Sequence, residues 1–462
     1  MRRAWRRRLT FLLGALAACR GGEPVEPTGN APLYLGATAT VGPANGLSAI
    51  VTVRGVGYDS AFIRYRDGSG DGGTTPAQAF GPDSTSDVPV LGMLPDDVYT
   101  MEIVLQRGLN AGAVDTISFH SDTLPDWIPR PQAVGTDTTP GYLSVSYPAG
   151  AVIIDNQARV RWYLSNPDGV LNSFQAHDNG FYTSFRLSED PPRFKVIDPL
   201  GQQTGTIGCV GRHTRFHDIL VEEAGDYWIM CDDTIPMDLS GIGGQADAQT
   251  IWTVVQHVSA GGSLLWEWNS ADHFDITDLA APYRGGSEVN VTHGNVIQFD
   301  RDGNLIVSFR ALDEITKIDV HSGDVIWRLG GLRNEFTFEN DPFNGFAQQH
   351  GVRVLDNGYL QMLDNRRTPP SRLVRYLVNP VTRTATLVID FRDSDSTFTP
   401  VGGVTEYYPN GHAIVTFGRA GRVDEIDEFG NKVWELTGIP FTYVFRVQKI
   451  LDLYHPRRTL TP

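Results

Sequence analysis

Two textures of apolar–polar alternation divide the chain. Over residues 31–125, short runs such as Ala49-Ile50-Val51-Thr52-Val53, Ala61-Phe62-Ile63-Arg64-Tyr65 and Met101-Glu102-Ile103-Val104-Leu105 are separated by turn residues. A period of two over a few residues predicts half-buried strands, and this series of them predicts a small β-sandwich. From Asp126 a different unit recurs: an Ile/Val-Asp turn, a glycine and a strand ending in tryptophan. It reads Ile154-Asp155…Trp162, Ile318-Asp319…Gly323…Trp327 and Ile426-Asp427…Gly430…Trp434, with Val258…Gly261…Trp266 as a looser copy. Ile197-Asp198…Gly201 and Val378-Asn379-Pro380 supply two turns without the tryptophan. The tryptophan spacing sets a unit of about 54 residues, so about six units fill residues 126–450. Self-similarity at that period in an all-β texture predicts a propeller of four-stranded blades. Two independent sandwiches would not keep the hairpin signature in step. The strand-like run Phe441-Thr442-Tyr443-Val444-Phe445-Arg446-Val447 could pair with the first blade and cover the open edges.

Three histidines occupy one place in this unit. Phe216-His217-Asp218-Ile219, Thr292-His293-Gly294-Asn295 and Gln349-His350-Gly351-Val352 each open a strand-like run that breaks at a glycine turn, at Gly225, Gly303 and Gly358. In a ring of blades that placement aims His217, His293 and His350 at one axis. The sixth unit has Gly403 at the matching position, so the fold alone does not demand a histidine there. Arg310 ends the next strand after His293, which returns toward the same mouth, and Asn295 shares a strand face with His293. Neutral imidazoles beside a fixed guanidinium fit transfer of a sulfuryl or phosphoryl group, whose oxygens match the planar fork of donors on arginine. One imidazole can attack while another moves a proton to or from a phenolic oxygen, and neither role needs a metal.

Two other function classes compete. Three imidazoles can hold zinc, iron or copper for a hydrolase or lyase, although Arg310 would repel the cation. A propeller can also serve as a non-catalytic binding platform, which has no need of histidines in register. His213 is out of register, His177, His321 and His412 adjoin turns, and His257 and His273 lie in loop-like or outer-strand surroundings, so all six are expected at the surface.

Charge and targeting signals narrow the setting. The 462 residues carry a formal net charge of −16, which disfavours nucleic acid and obliges any anion site to supply local positive charge. Residues 1–18 combine Arg2, Arg3, Arg6, Arg7 and Arg8 with an apolar stretch from Leu9 to Ala18, too short to span a bilayer and expected to be an export signal. Leu16-Ala17-Ala18-Cys19 resembles a bacterial lipobox. That implies lipid on Cys19, a Gly/Pro-rich tether over 19–30, and a lipid-anchored protein at the periplasmic face of the cell envelope or on the outer membrane. Cys209 and Cys231 then remain as an even pair in an oxidising compartment, and a disulfide between them is expected.

Further resemblances sharpen both halves. Leu94-Pro95-Asp96-Asp97-Val98-Tyr99 resembles the tyrosine corner of fibronectin type III and immunoglobulin-like sandwiches. Thr292-His293-Gly294-Asn295, Ser308-Phe309-Arg310, Ile318-Asp319 and Gly323-Asp324-Val325-Ile326-Trp327-Arg328-Leu329-Gly330-Gly331 resemble the arylsulfotransferase family. Gln349-His350, Leu363-Asp364-Asn365 and Phe216-His217-Asp218-Ile219 match further motifs of that family. The resemblance implies an N-terminal sandwich (31–125) before a six-bladed propeller (126–455). It also implies sulfuryl transfer from a phenolic sulfate ester to a phenol by a ping-pong route, with no nucleotide, cofactor or metal. His350 resembles the histidine that is transiently sulfurylated. His217 and His293 resemble its acid/base partners, and Arg310 and Asn295 resemble groups that hold sulfate oxygens. Asn290-Val291 stand where many members have Asp-Trp, so one pocket wall is expected to differ; Thr416 and Arg419 are candidates for further contacts in the last blade. Acceptor choice is expected to lie in the loops Ser270–Asn290 and Arg333–Ala347, where Phe336, Phe338, Phe343 and Phe346 could stack on a phenol or pack internally. The implied partners are an aryl sulfate and a phenol; a homodimer is left open.

Overall fold

The computed structural model describes residues 31–456 except 137, 166–169, 356–357, 395 and 439–443. The expected export signal, Cys19 and the tether lie outside the described residues, as do positions 441–443 of the closing strand. Among the described residues helix is limited to short 3-10 turns such as Ser240–Ile242 and Ala281–Tyr283, and the chain is all-β and propeller-like.

Residues 33–120 form two sheets. One has the order Leu33–Val41, Ala49–Val56, Thr85–Val90; the other runs Gly72–Thr74, Ser60–Arg66, Val98–Arg107, Asn110–His120. The alternation does its work here: Ala49, Val51, Val53, Ala61, Ile63, Met101 and Ile103 are fully buried in one core between them. The backbone N–H of Leu94 donates to Tyr99 Oη at 2.8 Å, which pins the loop to the strand. This unit is tied to the next by the buried Arg161, which donates to Asp71 Oδ1 and to Asp155 Oδ2 at 2.8 Å each.

Six antiparallel meanders follow. The first begins at Tyr142–Tyr147, the second at Leu171–Ala176, the third at His213–Val221, the fourth at Gly294–Phe299, the fifth at His350–Val354 and the sixth at Thr405–Tyr407. The opening strands of the third to sixth sheets pack successively against one another. The repeated turn has a plain cause. Asp155, Asp198, Asp319 and Asp427 each accept backbone N–H groups of their own turn through Oδ1, and the glycines Gly201, Gly323 and Gly430 take the left-handed backbone (φ 84°, 79° and 88°) that closes it. The repeated tryptophan docks on the next sheet's turn. Trp162 Nε1 donates to the Pro199 carbonyl at 2.9 Å, Trp268 Nε1 to Gly323 at 2.9 Å, and Trp434 Nε1, in the sixth sheet, to Asn156 in the first at 3.1 Å. In the third sheet the docking residue is therefore Trp268, not Trp266, which packs on Trp228 instead.

Both chain ends of this region take part in closure. The described closing strand is Val447–Ile450, later than the sequence pattern suggested, and it pairs with Tyr142–Tyr147 of the first sheet. Gln132–Gly135 adds an outer strand to the sixth sheet beside Lys432–Thr437. A strand from each end thus covers an edge that would otherwise be open.

Candidate active site

Strand pairing breaks at each of the three histidines. The register slips between Thr214 and Ile219, between Gly294 and Val296, and between His350 and Arg353. Such bulges free a side chain from the pleat and re-aim it. His293 itself holds φ 49° and Gln348, two residues before His350, φ 56°. Gly351 (φ 58°) has no room for a side chain, because a Cβ there would lie 2.3 Å from the Thr405 backbone nitrogen. That close approach seats the fifth sheet's first strand against the sixth.

The imidazoles come together. The rings of His217 and His293 lie 4.8 Å apart at an interplanar angle of 66°. His217 is buried, stacked on Phe216 at 4.1 Å and flanked by Phe445, while His293 is half-buried with Nδ1 3.1 Å from Asn290 Nδ2. Asn290, one of the two positions where the resemblance led to an expectation of a changed pocket wall, thus touches a candidate histidine directly. Burial holds His217 well below the usual histidine range, helped by His293, Arg215, His350 and Arg310. His293 is lowered likewise by burial, then by Arg215, Arg310 and His350. His350 is pushed down to about 4 by burial and by Arg310, against the opposing pull of its hydrogen bonds to Asn365 and Gln348. All three are therefore neutral bases at neutral pH in the substrate-free protein.

His350 Nδ1 lies 2.7 Å from Asn365 Oδ1 and 2.9 Å from the Gln348 carbonyl. Both are acceptors, so this nitrogen carries the proton and Nε2 carries the lone pair. Consistently, Nε2 accepts a long hydrogen bond from the Gly402 N–H at 3.4 Å. Arg310 follows the strand Leu305–Phe309, and its N–H donates to the His293 carbonyl at 3.0 Å. Its guanidinium donates through Nη2 to Gln348 Oε1 and to the Pro400 carbonyl, both at 3.2 Å. Two further arginines enter the site, neither singled out by the sequence pattern. Arg215 is backed by Asp232 at 2.9 Å, and the buried Arg446 donates to the His217 carbonyl at 2.7 Å and to Asp218 at 3.1 Å. The positive charge that an acidic chain needs for an anion is thus concentrated here.

Other expected residues have mixed positions. Asn295 sits in the bulge of the fourth sheet, where Nδ2 donates to the Gln349 carbonyl at 2.7 Å and so braces the backbone next to His350; its buried Oδ1 has no hydrogen-bond partner. Thr416 is fully buried with its hydroxyl unbonded, and Arg419 is exposed. Cys209 and Cys231 form a disulfide. Phe336, Phe338 and Phe346 pack on Trp327 and Tyr376, while Phe343 lies beneath the guanidinium of Arg366 at 3.5 Å. Two histidines expected at the surface are buried: His177 reaches Thr183 Oγ1 at 2.7 Å and His412 reaches Glu425 at 3.0 Å. Both have local polar partners, which make burial affordable next to a turn. Asn365, the partner of His350, ends the Leu363-Asp364-Asn365 motif, but its role depends on a contact across the sheet.

Three His, Cys or acidic ligand atoms within 4.8 Å of one another occur among the described residues at Glu222, Asp226 and His257 and at Asp393, Asp424 and Glu435, not at the three site histidines. The second group is already paired with Arg422 and Lys432. The donor set around His350 suits an anion better than a cation.

Residues 197–439 match the family described as arylsulfotransferase (ASST). No curated protein matches the chain. Similar solved structures include a protein of unknown function from Bacteroides caccae, at 15% identity over 67% of this chain and 98% of that one, with a TM-score of 0.43. A streptogramin B lyase shares 11% identity over 71% of this chain and 89% of its own, with a TM-score of 0.37. A virginiamycin B lyase from Staphylococcus aureus shares 12% over 74% and 92%, with a TM-score of 0.34. Likenesses this loose carry nothing about activity. The family match takes in more than half of the sequence and the whole span from His217 to His350, and the chain belongs to the arylsulfotransferase family.

Proposed function

We propose that this protein is an aryl-sulfate sulfotransferase that moves a sulfuryl group from a phenolic sulfate ester to a phenol through a sulfohistidine at His350, without a nucleotide. The observation that carries this reading is the pair of acceptors on His350 Nδ1, which leaves a neutral ring with its lone pair on Nε2. In the first half-reaction Nε2 forms a bond to sulfur, the sulfur–aryl oxygen bond breaks, and its electron pair leaves on the phenoxide. Arg310 supplies donors to sulfate oxygens that carry the charge throughout. In the second half-reaction a neutral His217 or His293 takes the proton of the acceptor phenol as its oxygen attacks sulfur, and the N–S pair returns to His350. By microscopic reversibility the same imidazole, protonated, delivers that proton to the first phenoxide. The bound sulfate anion favours that protonation, because it offsets the neighbouring arginines.

Within this reading the six meanders are six blades of one propeller, and the two N-terminal sheets are a sandwich standing before it. Cys19 is the lipidated residue of an exported protein held at the cell envelope. Purified protein supplied only with a chromogenic aryl sulfate and a phenol should turn over with no added metal or nucleotide, and His350→Ala should lose at least about a thousandfold in rate. A His350→Ala protein as active as the parent would refute the proposal.

A further inference from the structure

Asn365 is held more tightly than a simple hydrogen-bond partner requires. It is fully buried, and its Nδ2 donates to two carbonyls, Thr399 at 2.7 Å and Gly402 at 2.9 Å. Both amide protons are thereby used, so the side chain cannot flip and Oδ1 must face His350 as an acceptor. The second acceptor of the same ring nitrogen is a backbone carbonyl, Gln348. Histidines that act in catalysis are often oriented by a carboxylate at this position. Here both orienting groups are neutral, and the charged groups acting on His350 are guanidiniums, Arg310 and Arg446.

We propose that Asn365 is a positioning residue whose neutral amide keeps the sulfurylated ring a cation, and therefore a competent sulfuryl donor. The inference rests on the sulfohistidine reading above. When Nε2 bonds sulfur, the ring retains its Nδ1 proton and becomes an N-sulfoimidazolium: one positive charge on the ring, one negative charge on the sulfo group. In the second half-reaction the N–S pair returns to that cation and releases neutral imidazole. A carboxylate at residue 365 would accept the Nδ1 proton. The N–S pair would then return to an uncharged ring and release imidazolate in place of neutral imidazole, so the N–S bond would be slower to break. An amide oxygen can hold the proton without taking it.

Asn365→Asp turns this into a measurement. Its second carboxyl oxygen would face the Thr399 and Gly402 carbonyls, so the protonated acid mimics the amide, donating with its O–H and accepting with its C=O. On ionisation the mimicry ends. Protein is loaded with 4-nitrophenyl sulfate in a single turnover, then chased with phenol across pH. The burst of nitrophenol reports sulfuryl uptake, and its discharge to phenol reports return from the ring. In Asn365→Asp, discharge should slow by about tenfold or more as pH rises through the new carboxyl's ionisation, with sulfo-enzyme accumulating above it. The parent should show no such alkaline loss. A discharge profile that superimposes on the parent's would overturn the proposal. If Asn365→Asp does not fold, ¹⁵N spectra of histidine-labelled parent protein decide instead: a proton on His350 Nδ1 supports it, and a proton on Nε2 overturns it. A parent protein that gives no burst with the donor contradicts the sulfohistidine reading itself, which separates the two failures.

Discussion

Two buried polar clusters of this chain make opposite use of histidine. Where the sixth sheet meets the first, His412 lies 3.0 Å from the fully buried Glu425. That carboxylate also accepts from the Thr139 backbone at 2.7 Å, from the Thr139 hydroxyl at 2.6 Å and from Thr138. Lys449, on the closing strand, approaches the same cluster and bonds Asn156 at 2.9 Å; burial pushes it down to about 8, with Glu425 pulling the other way. Charge meets opposite charge, and donors meet acceptors. Around His217, His293 and His350 the charged groups acting on the rings are guanidiniums, two of them backed by Asp218 and Asp232, and buried atoms such as His217 Nδ1 and Asn295 Oδ1 have no hydrogen-bond partner. A saturated cluster holds the ring shut. An unsaturated one leaves polar atoms open to a bound ligand or water.

The sharpest way to break this contrast is to exchange the kinds of damage. Arg310→Lys keeps a positive charge but loses the planar fork, and kcat for a chromogenic aryl sulfate should fall by about a hundredfold with thermal stability nearly unchanged. Glu425→Ala should do the reverse. It strands His412 and the threonine donors, so stability should fall by about 3 kcal/mol in denaturant titrations while kcat per folded molecule stays within about twofold. If Glu425→Ala abolishes turnover in protein that is still folded, the seam is part of the chemistry and the contrast fails.

Acid gives a smaller, graded test. His350 acts as a neutral base with its ionisation pushed down to about 4, so with a donor whose phenoxide leaves without a proton, such as 4-nitrophenyl sulfate, sulfuryl uptake should be flat from neutral pH into the acid range and fall only near pH 4. Stability has the matching sign. The folded protein holds these histidines below their unfolded value of about 6.5, so the unfolded chain binds protons first and stability declines as pH drops from about 6.5 toward 4. His350→Gln should flatten part of that decline, measured as the change in melting temperature between pH 7 and pH 5.

The sequence carried much of this because the informative features repeat. The Asp-turn, the glycine and the tryptophan recur at one period, since each blade-like unit must close the same turn and dock on the next. The histidines were legible for the same reason: three copies at one place cannot be explained by any single local need. What stayed hidden was whatever depends on a partner far along the chain. Arg446 reaches His217 only because the last strand closes on the first sheet. Asn365 gains its role from carbonyls of Thr399 and Gly402, and His412 is buried because Glu425 lies on the neighbouring strand. The loop phenylalanines looked equally suited to substrate and to core, and three of the four are core-packed. Alternation cannot separate those cases, because both want an apolar ring.

Mass spectrometry of the protein mixed with an aryl sulfate and no acceptor, quenched without acid, addresses the central claim directly. A sulfo group on the peptide bearing His350, lost on addition of a phenol and absent from His350→Ala, is the expected result. Turnover of the donor with no sulfo group on any histidine, or with the group on His217 or His293 instead, would contradict the account.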